Sequence, residues 1–514
     1  MKVAKSNAAI PQVVYRVSEL VAYIVRDIGI GTNLAMAPRR ATFWHVLMAP
    51  QRATLTVMSG RLLESRGALI PALSAGGLDK QTTLRAWNGA AHGAWYLDAL
   101  LKRFNEAVKA EQKWQPLVVG GRNVKAYDTM APRRATFGIF RPRLKDCPGR
   151  HYDSQAGKAL PAISFGILGA VGTVPMMDAT GKIDEQRVTL PLKIVRAEGR
   201  AAKSEEGLKV ALLGAMGALV KKGADEITGK DILTGDRKFS AVKMLENGCT
   251  AMAPRRATLA IRRAANMTLL RSEPPPYKGR GPKPKLGELV RPLPRQRLNK
   301  VIPASKPEGG PSRGHETEEW SEMHDGQQVT LTAEIWRNVI PKPQKDWTKR
   351  QRELVKKATW TAVVVHHPAF NNPLVILMTV PFTAQQGMAV RGATRLVVRG
   401  RWGIEQPPLV AKQLLGGHRQ FVHEPDMCYR FPELIFVAGA AVTYLAATCE
   451  PLATGWWDMA PKRTAGRLRR VLSKVPLSAV PRAEQLREKR SKTDHLPKGF
   501  HPAVAAARTA ARLN

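Results

Sequence analysis

Between Phe431 and Cys449 the chain carries its longest apolar run, interrupted only by Glu433, Thr443 and Thr448. A helix of that composition has no polar face to turn to water. It must lie in a bilayer or in a protein body large enough to surround it. The run is at the short limit for a membrane span, and Trp456 and Trp457 stand where an interfacial belt falls. Its small residues from Ala438 to Ala441, and the acid at one end, suit packing against other helices. We read it as a buried helix with no membrane partner. A subunit of a membrane-bound organellar complex, anchored by 431–449, is the alternative.

With 514 residues, 44% of them hydrophobic, the chain is long enough for roughly two to four domains with real cores. Against those cores stands a net charge of +40, from 81 Lys and Arg and 41 Asp and Glu. A compact body with that excess repels itself unless a polyanion supplies counter-charge. The excess is spread along the chain, which points to a protein embedded in nucleic acid. Cys147, Cys249, Cys428 and Cys449 are far apart and form no CxxC pair, so neither a zinc ribbon nor a disulfide framework follows. Buried, reduced thiols are expected. The amino terminus lacks the apolar run and cleavage site of a secretory signal.

One short phrase recurs. Met36-Ala37-Pro38-Arg39-Arg40-Ala41-Thr42 is repeated without change at Met130–Thr136 and Met252–Thr258. A copy with Gln51 for the first Arg sits at Met48–Thr54, and a looser one at Met459–Ala465. The intervals match no solenoid or propeller period. Two readings stand side by side: clamps that set paired cations beside phosphates, or copies of a short insert tolerated in loops.

The pattern predicts an α+β, multidomain protein: mixed globular pieces joined by long basic extended segments, with a β-rich region around 328–403. Residues 1–150 read as a mainly helical basic region, with Ser18 as an N-cap and Leu20, Val21, Ile24 and Ile28 on one stripe. Residues 151–250 read as an α/β unit. Its Gly166–Gly172 segment has GxxGxxG spacing and reads as an apolar turn, not a dinucleotide loop. The ADEITGKD stretch from Ala224 to Asp231 fails the phosphate-loop pattern and reads as a surface turn.

Residues 251–320 form an extended linker in which thirteen Lys and Arg between 255 and 300 face only Glu273 and Glu288. Residues 321–425 are β-rich, 426–459 hold the apolar helix, and 460–514 form a basic helical tail. The adjacent His366 and His367 fall on opposite faces of a strand and are poor joint ligands.

No Ser-His-Asp set, carboxylate pair or metal cluster assembles from spacing, so neither catalysis nor a cofactor is expected. The composition points to a structural RNA-binding component of a large ribonucleoprotein, a mitochondrial or other organellar ribosomal protein, with a cytoplasmic one second. Its partners are then rRNA and neighbouring proteins, and its location the organellar matrix. An RNA-processing or modifying enzyme is a further alternative. The expected contacts are Arg39, Arg40, Arg52, Arg133, Arg134, Arg255 and Arg256 of the repeats. They continue through Arg262, Arg263, Lys278, Arg280, Lys283, Lys285, Arg295 and Arg297 of the linker, then Lys462, Arg463, Arg467, Arg469 and Arg470 of the tail.

Overall fold

In a computed structural model the described residues are 2–25, 43–92, 95–130, 150–153, 157–161, 165–177, 183–196, 222–228, 230–235, 257–263, 267–277, 287–297, 300–305, 315–324, 326–343, 347–353, 360–379, 401–417, 424–451 and 458–477, apart from single gaps and a few isolated positions. The basic tail beyond 477 lies outside them.

The first part is helical: α1 (Lys2–Val25), α2 (Phe43–Met58), α3 (Arg61–Glu64), α4 (Leu69–Ala75), α5 (Lys80–His92) and α6 (Leu97–Ala110). Val13, Val17, Leu20, Val21 and Ile24 recur at helical spacing and are all buried, so α1 forms by packing its stripe against neighbours. It begins well before Ser18. That residue is no N-cap: it lies buried in mid-helix, donating its hydroxyl to the Val14 carbonyl at 2.7 Å. A hydroxyl with a carbonyl one turn back is satisfied without ending the helix.

The strands follow as β1 (Gln115–Pro116), β2 (Val118–Val119), β3 (Arg122–Met130), β4 (Arg150–Asp153), β5 (Lys158–Pro161), β6 (Phe165–Met177), β7 (Ile183–Arg196), β8 (Asp231–Gly235) and β9 (Ala257–Arg263). Then come β10 (Leu269–Arg271), β11 (Leu289–Val290), β12 (Arg295–Arg297), β13 (Lys300–Ile302), β14 (His315–His324), β15 (Gln327–Pro341), β16 (Trp360–His366) and β17 (Leu374–Met378). Three helices close the described chain: α7 (Arg401–Leu409), α8 (Pro425–Thr448) and α9 (Ala465–Lys474).

A 13-stranded sheet runs β1-β6-β3-β8-β9-β17-β16-β15-β10-β11, with β7 on β6, β2 on β3 and β14 on β15. β8 is parallel to both of its neighbours, β3 and β9, while β6 and β7 form an antiparallel meander beside β3. Strands from the 151–250 and 321–425 stretches thus meet in one sheet through β9 and β17. Both faces are covered. Val363, Val365, Ile376 and Met378 join the core on the helical side, and Trp360, Ala362, Val364, Val375 and Leu377 join a second core on the other. Strands buried on both faces read as unbroken apolar runs, which is why β16 and β17 are so plain in the sequence.

The glycine-rich stretch expected as a turn is instead the interior of β6. A Cβ on Gly172 would stand 2.3 Å from the Gln115 carbonyl oxygen and from the Trp114 ring. The glycine is there because β1 and its tryptophan approach the strand too closely for a side chain.

α8 holds the helical layer together. It packs on α2, α5, α6, α7, α9 and β7, and 89% of its apolar window is buried inside the protein. Glu424 caps it, accepting from the Met427 amide at 2.7 Å, and Pro425 occupies the first turn, where its missing N–H costs nothing. Phe436 meets Phe165 edge-on at 5.1 Å between centroids. Each fully buried Leu, Ile or Phe here contributes roughly 1.5–3 kcal/mol. The class is mixed α+β, as the pattern predicted.

Candidate functional site

In open sheets, ligands are held beyond the carboxyl ends of the parallel strands. Here those strands are β3, β8 and β9. Ala126 stands opposite Thr234, and Tyr127 opposite Gly235, the last residue of β8, while β3 continues through Asp128 to Met130. At the opposite end Lys125 Nζ lies 2.9 Å from the buried Asp231 carboxylate. Asp231 also accepts from the Thr228 amide at 2.6 Å and its hydroxyl at 2.9 Å. That carboxylate is saturated and ties two strands together. It is also no part of a surface turn: the turn at Ala224–Glu226 ends first, and Asp231 opens β8.

At the carboxyl end the chemistry is different. Asp128 follows Tyr127 within β3, two residues after the buried Ala126. In sequence, Asp236 comes directly after Gly235; it lies outside the described residues. Thr234 is fully buried, and its hydroxyl has no hydrogen-bond partner among the described residues.

α7 lies across β3, β6 and β7. Two glycines allow the contact. A Cβ on Gly169 would be 2.5 Å from Ile404 Cδ1, and one on Gly403 would be 2.7 Å from the Thr189 hydroxyl. Ile404 is fully buried in the core that also contains Val124 and Ala126. The next residue, Glu405, is half-buried. Gln406, after it, keeps its buried carbonyl oxygen without a partner among the described residues. The helix thus seats Ile404 on the sheet at Gly169, with Glu405 the next residue along it.

The expected basic contacts scatter. Arg39, Arg40, Arg133, Arg134, Arg255, Arg256, Lys278, Arg280, Lys283 and Lys285 lie outside the described residues. Arg52 is half-buried on α2, in the repeat copy that turns out to be helical. Arg262 and Arg263 are within β9, opposite Ile376 and Val375. Arg295 and Arg297 belong to the β12–β13 hairpin, and the Arg295 guanidinium donates to the Thr268 hydroxyl at 3.3 Å. In the tail, Arg463 donates to the Cys449 carbonyl at 3.1 Å, and Arg467 is paired with Asp458. Arg469 packs over Gly60, whose φ of 73° and lack of a side chain leave room for it. Lys462 and Arg470 are exposed. The structure does not bring these residues to one site.

One further group can be assembled. His92, Glu424 and Asp426 have ligand atoms within 4.8 Å of one another. Glu424 already serves as the α8 cap, His92 and Asp426 are exposed, and carboxylates at a helix amino terminus are accounted for by its dipole.

No family model matches this chain, and no curated protein matches it. Among the solved structures that match is a cryo-EM structure of the piggyBac transposase synaptic complex with hairpin DNA. It is 11% identical, the alignment covers 98% of this chain and 89% of that one, and the TM-score is 0.36. A likeness of that size sets neither fold nor activity. The complex it finds is of a DNA transposase, not of a ribosomal particle, and the ribosomal expectation is corrected on that finding and goes no further.

Proposed function

We propose that the protein is a divalent-metal-dependent enzyme that cleaves or transfers nucleic-acid strands. This departs from the expectation of a non-catalytic protein. The observation that carries it is the register of β3 on β8: opposite Tyr127 and Gly235, each strand runs directly into an aspartate in the sequence, Asp128 and Asp236. Glu405 sits on α7, the helix that lies across β3, β6 and β7. Carboxylate oxygens are hard ligands, suited to Mg²⁺ or Mn²⁺ and not to softer metals. Such ions, when bound, neutralise phosphodiester charge and supply an activated water.

The chain's own residues do the rest. On this reading Asp128 and Glu405 would hold the ion, with Asp236, next in sequence after β8, as the further candidate. The cationic excess draws in the phosphate backbone, and the exposed Lys462 and Arg470 belong to that general field. Sequence reasoning passed over the acids because Asp128 and Glu405 are remote in the chain. The available signal was a lone acid, Asp128, within the strand-forming stretch 122–130.

The test is incubation of the purified chain with end-labelled DNA and RNA, with Mg²⁺ or Mn²⁺ and with chelator. Cleavage or joining that needs the metal supports the reading. Tight binding without strand breakage under any of these conditions would reduce the protein to a nucleic-acid-binding one.

A further inference from the structure

The two hairpin tips at one end of the sheet carry a group of rings that the proposed chemistry does not use. His324 closes β14, and His367, Pro368, Ala369 and Phe370 form the turn after β16. The His324 and His367 ring centroids are 4.8 Å apart, His367 and Phe370 4.8 Å, and His324 and Phe370 5.7 Å. The trio is fixed in place. The Phe370 amide donates to the His367 carbonyl at 3.0 Å, and the Ala369 amide donates to His367 Nδ1 at 3.1 Å. Nδ1 is therefore an acceptor, which leaves the proton of the neutral ring on Nε2.

Yet the group is not a core. Phe370 is 60% exposed and Met323 beside it 69%. Asn371 and Asn372, next in the turn, are exposed amides. Desolvation, then the neighbouring His324, holds the His367 pKa below its usual value. At neutral pH its ring is a flat, uncharged aromatic and not a cation.

We propose that the exposed ring of Phe370, braced by His324 and His367 whose planes meet it at 67° and 54°, is a stacking platform for an unpaired nucleobase, with Asn371 and Asn372 next in the turn to bond its edge. Ring faces give sequence-tolerant stacking, and amide side chains can pair with base donors and acceptors. The tip does not suit a phosphate backbone. Glu322 stands two residues before His324, with Glu318 and Glu319 further along β14, in a chain whose net charge is +40, and like charges repel. A base presented out of a stack, with its backbone held elsewhere, meets those constraints. The inference rests on the nucleic-acid reading above, and deepens it by assigning a binding element for single-stranded or extruded bases.

The experiment measures binding of the full chain to a fully paired duplex and to the same duplex with a single-stranded overhang carrying 2-aminopurine. For wild type, the overhang strengthens binding and its fluorescence is quenched. Phe370→Ala, at an exposed position, should leave duplex binding unchanged, weaken overhang binding by about tenfold or more, and abolish the quenching. Phe370→Trp should preserve both effects. Equal loss on duplex and overhang, or no loss on either, overturns the platform while leaving nucleic-acid binding intact. Loss of self-association in Phe370→Ala with unchanged overhang binding also overturns it, in favour of contact with a second copy. Failure of the wild type to bind any nucleic acid would remove the underlying reading as well.

Discussion

Arg196 Nε, at the end of β7, lies 3.2 Å from the carboxylate of Glu433, the only Asp, Glu, Lys or Arg in the apolar run from Phe431 to Cys449. Burial pushes the Glu433 pKa up to about 6, and Arg196 and Arg430 pull it only partly back. A carboxyl whose folded pKa is raised favours the fold when protonated. Its contribution is therefore complete below about pH 4.5 and is lost as pH rises through 6. Glu433→Gln should match wild type near pH 4.5 and gain on it by roughly 2 kcal/mol by pH 7.5. Urea melts at the two pH values check this; a constant offset between the proteins contradicts it.

The repeat copy with the altered residue is a core helix. Gln51 is 1% exposed in α2, and neither its amide oxygen nor its nitrogen has a hydrogen-bond partner among the described residues. An apolar side chain removes that cost, so Gln51→Leu should stabilise the protein by about 1–2 kcal/mol. Gln51→Arg, which restores the repeated phrase, places an unpaired guanidinium in the core and should destabilise by about 3 kcal/mol or more. Thermal denaturation of both variants decides the point.

The seat of α7 on the sheet depends on two missing side chains. Gly169→Ala presses a methyl against Ile404 and Thr189, and Gly403→Ala presses one against Thr189 and Val171. Each should cost about 1–3 kcal/mol by overpacking. If Glu405 acts from this helix, both changes should also lower metal-dependent activity more than a distant substitution of equal stability cost does.

Lys125 and Asp231 hold β3 and β8 in register at their amino ends. Lys125→Met leaves a buried carboxylate without its cation and should cost about 3–5 kcal/mol. Adding Asp231→Asn removes the stranded charge and should recover part of that loss, because contacting residues do not add independently. A double variant as unstable as the sum of the singles contradicts the pairing.

Much of the fold was legible where composition alone decides it. The apolar run from Phe431 announced a buried helix, and the β-branched strands within 328–403 announced a β-rich region, though not that the sheet is covered on both faces. What was not legible came from pairing. Gly169 and Gly172 read as a turn because nothing in sequence reveals Ile404 or Trp114 pressing on them. Ser18 read as a cap because its bond to Val14 needs a helix already in place. The acids escaped for the same reason: no spacing rule connects Asp128 with Glu405, and only the packing of α7 on β3 puts their two elements in contact. The charge named a polyanionic partner but not a chemistry, and it led to the ribosomal expectation that fell.

The central claim is tested most directly by Asp128→Asn, read out on cleavage of labelled DNA in Mn²⁺, on affinity for the same DNA in chelator, and on the Mn²⁺-induced shift in melting temperature. The account predicts loss of cleavage by about a thousandfold or more, the scale on which metal-positioned charge stabilisation acts. It also predicts a lost or reduced metal shift with DNA affinity unchanged. Wild-type cleavage and an undiminished metal shift in Asp128→Asn would contradict it.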